Sequence, residues 1–272
     1  MHLRTWFILG CGYTGTALAR RVIADGERAI VTRRDAIAAE IIGQELGAEF
    51  RAVDLAHTCA PAPNGSIVVC CAPPGADPAA EIANLTALAS GAAKLIYVSS
   101  TGVYAPGGGA WVDESWPLEP TTTTGRARLV AERALPATAI ALRAAGIYGP
   151  GRGLVDRLRA GTYRIVGDGS AHVSRIHVDD LVAIILAAAR SPEPGVTGAF
   201  NCADDDPAAI GELADALAAT LGVPPPPRVP IASVDAEVAG MLGADRRISN
   251  ARLKRELFVT LTHPSARGGG GG

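Results

Sequence analysis

The sequence predicts an α/β fold in which a doubly wound parallel sheet is joined to a small C-terminal lobe. Short apolar runs alternate with helix-like segments through the first two-thirds of the chain. Those runs are continuously apolar, as strands buried on both faces must be. Right-handed crossovers between such strands wind helices onto both sides of the sheet.

The elements follow in order. "WFIL" (Trp6–Leu9) is a strand, followed by a Gly-rich turn and "TGTALARRVIADG", which has helical spacing and a terminal glycine at Gly26. "RAIVT" (Arg28–Thr32) is the next strand and "DAIAAEIIGQELG" the next helix. "EFRAV", "SIVVCC" and "KLIYVSS" are strands, the last two separated by the helical "DPAAEIANLTALASG". From about Gly149 the texture turns loop-rich, in "GPGRGLVDRL" and "GDGSAHVSRIHV". A helix "VDDLVAIILAAAR", a strand "GAFNCA" and an amphipathic helix "PAAIGELADALAATLG" follow, the last closed by the breaker "VPPPPRVP". The expected division is residues 1–148 plus 174–202 for the nucleotide-binding domain and 149–173 plus 203–267 for the lobe. Residues 268–272 form a glycine tail with no side chains to bury, expected to be disordered.

Composition narrows the function classes. At 272 residues with 48% apolar content there is material for a large core, and 4% aromatics means it is built from Ala, Val, Leu and Ile. The net charge of −2, from 25 basic and 27 acidic residues, lacks the basic excess of a nucleic-acid surface. "LVAIILAAA" (Leu181–Ala189) is far short of the ~20 residues a membrane span needs. "MHLRTWFILG" is too brief for a signal peptide, so a cytoplasmic protein is expected. Five cysteines without a C-x-x-C pair indicate neither a disulfide frame nor a zinc knuckle. The histidines, at 2, 57, 172, 177 and 263, are scattered, so no metal site is expected.

Gly10, Gly12 and Gly15 stand directly after the first strand and open the first helix. In that setting the three glycines serve a tight turn, close approach to a pyrophosphate, and helix–strand packing. The helix N-terminus, at Tyr13 and Thr14, supplies free N–H groups for phosphates. The fold is therefore Rossmann-type and the cofactor a nicotinamide dinucleotide; Ala72, after the fourth strand, joins the cofactor-binding set. An NAD site usually carries an acid at the end of the second strand. Here stand Thr32, Arg33 and Arg34, so NADP is favoured over NAD, with the arginines on the 2′-phosphate. Alternatively they are surface cations paired with Asp35 or Glu40. Asp54 is either an acceptor for the adenine amino group or a turn cap.

"IYVSSTGVYAP", "LRAAGIYGPGRG", "SRIHVDDLV" and "GAFNCADDDPAAIGELADALA" occur in the order found in the extended short-chain dehydrogenases/reductases, the NAD-dependent epimerase/dehydratase family, which the chain resembles over almost its whole length. The resemblance implies a catalytic hydroxyl at Ser100, with Tyr104 four residues on. It also implies Tyr-x-x-x-Lys at positions that here hold Thr124 and Arg128. The usual G-x-x-G-x-x-G has Leu9 at its first position. These departures resemble the atypical branch, whose members lack the Tyr–Lys pair. Tyr148 lies in the turn that in relatives borders nicotinamide and substrate, Arg175 has a family parallel in holding a substrate phosphate or carboxylate, and the helix near Arg126 implies a homodimer.

In the family's mechanism the phenol moves a proton while nicotinamide carries the hydride. A phenol with pKa ~10 is brought towards the working pH by the neighbouring ammonium. Threonine keeps its proton at any ordinary pH, and arginine cannot tune a partner by titrating. Ordinary carbonyl reduction at Thr124 is thus unsupported. Tyr104 is the nearest phenol in sequence to Ser100 but as a motif residue packs structurally in relatives; Glu114 is a candidate base or a solvated carboxylate; His177 sits beside a helix cap from Asp179 or Asp180. The expected function is an NAD(P)-binding oxidoreductase or epimerase-like protein acting on a small polar substrate. The alternative is a catalytically silent NADP(H)-binding regulatory or sensor module.

Overall fold

The computed structural model describes residues 4–192 and 195–268. Five strands, β1 (Thr5–Leu9), β2 (Arg28–Arg33), β3 (Glu49–Ala52), β4 (Ile67–Cys70) and β5 (Lys94–Ser100), come first, with helices α1 (Tyr13–Ala24), α2 (Ala36–Leu46) and α3 (Pro78–Leu88) between them. The chain continues through β6 (Trp111–Val112), α4 (Thr123–Ala134), β7 (Ile140–Ala144), β8 (Gly146–Tyr148), α5 (Leu154–Arg159), β9 (Ile165–Val166) and β10 (His172–Val173). Then come β11 (Arg175–His177), α6 (Val178–Arg190), β12 (Gly198–Cys202), β13 (Ala208–Ala209) and α7 (Ile210–Leu221). The last elements are β14 (Arg228–Val229), α8 (Ala236–Leu242), β15 (Arg247–Ile248) and α9 (Ala251–Leu257).

The central sheet has seven strands in the order β12-β7-β5-β4-β1-β2-β3. The pairs β2–β3, β1–β2, β1–β4 and β4–β5 run parallel. The order reverses between β1 and β4, the switch point at whose strand ends a doubly wound fold binds its ligand. This is the predicted Rossmann-type architecture.

Local chemistry starts and stops the helices. Asp35 caps α2 by accepting from the Ala38 N–H at 2.8 Å, and Gly47 ends that helix in the left-handed region at φ 62°. Asp77 caps α3 in the same way, with Pro78 at the first helical position. At α1 the capping position is Gly12, which has no side chain to offer. That helix therefore begins without a side-chain cap, as helix ends that receive anions do.

The chain divides into two compact units. The first runs through Ser99 and includes Ala127–Arg143 and Val182–Phe200. Its core joins Phe7, Leu9, Ile30, Val68, Leu85, Leu88 and Tyr97. The second holds Ser100–Arg126, Ala144–Leu181 and the residues from Asn201 on. Its core joins Leu154, Leu158, Ile165, Ile210, Leu213 and Leu217. The division differs from the expected one, because long-range pairing claims segments that lie near the sheet in sequence. β6 pairs in parallel with β15, and the Tyr104 hydroxyl donates to Asn201 Oδ1 at 2.8 Å, so residues 100–126 belong with the second unit. β11 pairs with β8 and brings residues 175–177 there too. Of the glycine tail, Gly268 closes a 3₁₀ turn; 269–272 lie outside the described residues.

Candidate functional site

The expected cofactor residues gather in the first unit. Gly10 has φ +77°, and a Cβ there would lie 2.8 Å from the Ala72 nitrogen and 2.9 Å from its Cα. A Cβ on Gly15 would lie 2.6 Å from the Gly10 carbonyl oxygen, so glycine lets α1 close on the strand end. Gly12 has nothing nearer its missing Cβ than 4.0 Å and faces open space. Two glycines thus serve packing and the third leaves room. The turn is tied to β2 by Cys11 N–H donating to the Thr32 carbonyl at 2.9 Å and Gly10 N–H to Thr32 Oγ1 at 3.3 Å. Tyr13 and Thr14 open α1, Thr14 buried.

At the end of β2, Arg33 Nε is buried and has no hydrogen-bond partner. Arg34 is largely exposed and lies 3.8 Å from Asp54 Oδ1. That carboxylate also accepts from the Ala56 N–H at 3.1 Å, so Asp54 is seen capping its turn. The pairing of the arginines with Asp35 or Glu40 is not what forms: Asp35 is spent on its own helix, and Glu40 accepts from Gln44. The residues fit a dinucleotide with an extra anion at the β2 end, because α1 begins without a side-chain cap and the buried Arg33 Nε–H has no hydrogen-bond partner.

Arg128, on α4, donates to the Val98 carbonyl at 2.7 Å and sits 5.7 Å from the Tyr97 ring centroid. Burial lifts the Tyr97 phenol to about 12, Arg128 opposing the rise. Elsewhere in this unit Glu132 takes a two-pronged ion pair from Arg143, the closest contact being 2.7 Å, and accepts from Ser99. Both side chains are buried.

In the second unit, Ser100 Oγ accepts from the Gly102 N–H at 3.0 Å, leaving the hydroxyl its own proton to donate. A Cβ on Gly125 would lie 2.4 Å from the Gly102 carbonyl oxygen, so the serine loop abuts the start of α4. Thr122 caps that helix through the Gly125 N–H at 3.1 Å. Glu237, on α8, accepts from the N–H groups of Thr123 (2.8 Å) and Thr124 (3.0 Å) and from the Thr124 hydroxyl. These bonds hold its carboxyl below the usual range. The position the resemblance assigns to tyrosine is therefore bound to a carboxylate over a hundred residues away, which no local motif signals.

Tyr104 is fully buried and bonded to Asn201, a packing role. Glu114 is half-buried and accepts from the Asn201 N–H at 2.8 Å, a tie that nothing near it in sequence signals. His177 takes the capping role expected of Asp179 or Asp180: its Nδ1 accepts from the Asp179 N–H at 3.2 Å. Asp180 is buried and instead accepts from the N–H groups of Thr262 (2.7 Å) and His263 (2.8 Å), pinning the C-terminal segment. Folding also brings His263 onto His177, rings stacked at 3.6 Å and 20°, so these two histidines are not scattered. With Asp179 they present three ligand-type atoms within 4.8 Å. Near-parallel rings point their lone pairs side by side instead of at one point, so no metal is assigned there.

Tyr148 and Arg175 line one cavity of about 220 Å³ with the loop Gly149–Gly153, Arg152, Arg159 and Asp156. Its apolar wall is Leu154, Val155, Leu213, Leu217 and Ala266. The Tyr148 hydroxyl and Arg175 Nε are both buried without a hydrogen-bond partner. Burial, with Asp204 and Asp180 nearby, pushes the Tyr148 phenol well above its ordinary value. Burial lowers the Arg175 guanidinium, which has no ion-pair partner among the described residues. Asp204, whose N–H donates to the Arg175 carbonyl at 2.6 Å, has its own unpartnered Oδ2 and is lifted by burial to about 7. No helix among the described residues is long and apolar enough to cross a membrane.

The chain is similar to several known proteins. A "3-diazoavenalumate denitrifying reductase" from Streptomyces sp is 33% identical over 203 residues, which are 67% of this chain and 66% of that protein. A "functionally unknown conserved protein" from Silicibacter pomeroyi DSS is 33% identical, with a TM-score of 0.83 over 98% of this chain and 96% of that one. The human epimerase family protein SDR39U1 (isoform 2), solved with NADPH, shares the fold at 19% identity, with a TM-score of 0.80 over 98% and 97% of the two chains. Residues 79–203 match the profile of the NAD dependent epimerase/dehydratase family. With that match, the parallel sheet and the glycine turn at its switch point, the chain belongs to the NAD dependent epimerase/dehydratase family.

Proposed function

We propose that this protein is an NADP(H)-dependent oxidoreductase acting on a small polar substrate without the Tyr–Lys pair. The observation that carries the cofactor choice is Arg33, whose buried Nε–H is unpartnered where an NAD site carries an acid. Gly10, Gly12, Gly15 and the N–H groups of Tyr13 and Thr14 would hold the pyrophosphate, and Arg33 with Arg34 the 2′-phosphate. The nicotinamide, when bound, supplies hydride. For proton transfer the chain offers Ser100, whose hydroxyl proton is not used in its own turn, and Tyr148, whose hydroxyl is unpartnered. The relative named a reductase supports an enzyme over a bare binder.

A second reading rests on Thr124 and Arg128. One is bonded to Glu237 and the other to Val98, so both serve the helix and leave no acid–base pair at those positions. On this reading the protein binds NADP(H) and turns nothing over. Titration calorimetry tests the cofactor: NADPH should bind more tightly than NADH, with the preference reduced in Arg33→Ala/Arg34→Ala. Equal affinities would overturn the NADP assignment. Following NADPH absorbance against aldehydes, ketones and carboxylate-bearing electrophiles then separates the readings, because oxidation above the buffer rate is expected only of the enzyme.

A further inference from the structure

We infer that the segment Pro230–Gly243 is a strap, latched to the start of α4 by the Glu237 carboxylate, and that its release frees the hydrogen-bonding groups of Thr124. This goes beyond the oxidoreductase reading, because it concerns what engages Thr124 and holds with or without turnover.

The strap is tied at its ends and loose between them. Before it, the Val229 carbonyl accepts from the Gly167 N–H at 2.8 Å; after it, the carbonyl of buried Ala244 accepts from the Gly107 N–H at 2.8 Å. From Pro230 to Gly243 no residue is buried, in the 3₁₀ turn Ile231–Ser233 and in α8 alike, and Ile231 and Met241 are mostly exposed. Its internal bonds only build its own turns: Asp235 caps α8 through the Val238 N–H at 2.8 Å, and the Gly243 N–H closes on the Ala239 carbonyl at 2.8 Å. Among the described residues, the hydrogen bonds that leave the segment all end on Glu237. A stretch with so little buried apolar surface opens locally at far lower cost than the body of the fold.

Glu237 meets the part of α4 that the helix cannot serve by itself. Thr123 and Thr124 are its first two residues, so their N–H groups have no acceptor within the helix. Glu237 takes both, together with the Thr124 hydroxyl, and a negative charge there also suits the helix dipole. Arg126 adds to the attraction. Gly240 lies one turn further along the same face of α8. A Cβ there would stand 3.0 Å from Thr122 Cγ2, so the glycine lets α8 lie close against the threonine run. With the latch closed, these donors of Thr123 and Thr124 are all spent on Glu237, and a group that is to bond them must displace the strap.

Amide hydrogen exchange of the full chain, resolved by NMR, tests the latch from both sides. The amides of Thr123 and Thr124 report one side, and those of Val238 to Gly243 the other. In the wild type both sets should exchange through one local opening, well before the buried α4 residues Leu129 and Ala131. Glu237→Gln removes the charge and should speed both sets about fivefold, the worth of an exposed bond to a charged group, while Leu129 and Ala131 keep their rates. Thermolysin should also nick the variant faster between Ile231 and Leu242. Faster exchange at Thr123 and Thr124 alone, with α8 unchanged, would make Glu237 a helix cap only and overturn the strap. A variant that exchanges as the wild type does on both sides would overturn it too. So would wild-type α8 amides as slow as Leu129, a comparison that stands even where the variant misfolds.

Discussion

Gly12 and Gly15 lie three residues apart in one turn, and the structure gives them opposite behaviour on substitution. A Cβ on Gly15 would sit 2.6 Å from the Gly10 carbonyl oxygen and 3.2 Å from its carbon. Both are backbone atoms of a turn already fixed by hydrogen bonds to Thr32, so relief requires α1 to move off β1. Overpacking of this kind costs about 1–3 kcal/mol. At roughly 2–4 °C per kcal/mol, Gly15→Ala should lower Tm by roughly 2–12 °C. A Cβ on Gly12 meets only the Gly10 carbonyl oxygen, at an ordinary contact distance of 4.0 Å, while the backbone at φ −79° and ψ −147° lies at the edge of what an L residue adopts. Gly12→Ala should therefore cost about 1 kcal/mol, from backbone strain and the poorer N-cap and not from a clash. In the proposed cofactor site its methyl group would occupy the space of the pyrophosphate. Wild-type protein with NADPH at a hundred times its Kd gains about 2.7 kcal/mol of stability. Gly12→Ala should lose nearly all of that gain, whatever the small drop in its own Tm without cofactor. Scanning fluorimetry with and without NADPH reads both quantities. A Gly12→Ala protein stabilised by NADPH as the wild type is, or a Gly15→Ala protein melting with the wild type, would refute the division of roles.

Two further predictions concern stability. Arg143→Ala leaves Glu132 buried without its partner and should cost about 3–5 kcal/mol in chemical denaturation, whereas the double replacement by Glu132→Gln and Arg143→Met should recover part of it. A single variant within about 1 kcal/mol of wild type would mean the pair is not buried. Asp204, lifted to about 7 by burial, keeps a proton in the folded protein that the unfolded chain releases near its ordinary 3.8. Its contribution to stability should then fall as pH rises through that window, and Asp204→Asn should flatten the unfolding free energy between about pH 4 and 7. An unchanged slope in the variant would assign the titration elsewhere.

Much of the first unit was legible because its signals are local. Gly10, Gly12 and Gly15 announce a turn through steric needs that act over a few residues. Asp35 and Asp77 declare helix starts in the same short-range way, and apolar runs such as Trp6–Leu9 name buried strands. The rest was not legible, because its partners are remote in sequence. Nothing around Thr124 points to Glu237, nothing around Asp180 to Thr262, and nothing around His177 to His263. Tyr104 and Glu114 have the chemistry of acid–base residues, and only the fold reveals that both are bonded to Asn201, Tyr104 as a fully buried packing group.

The sequence by itself determined the α/β class, the strand and helix order, the glycine turn, and the threonine and arginine at the two positions that the resemblance assigns to tyrosine and lysine. Each follows from residue type and near-neighbour geometry. The tertiary structure alone decided what replaces that pair: Thr124 on a carboxylate, Arg128 on a strand carbonyl, and Arg175 and Tyr148 facing a small cavity with bonds unmade. Those outcomes depend on which desolvated groups find partners after folding, and hydrogen-bond satisfaction across a hundred residues leaves no periodic trace in the chain.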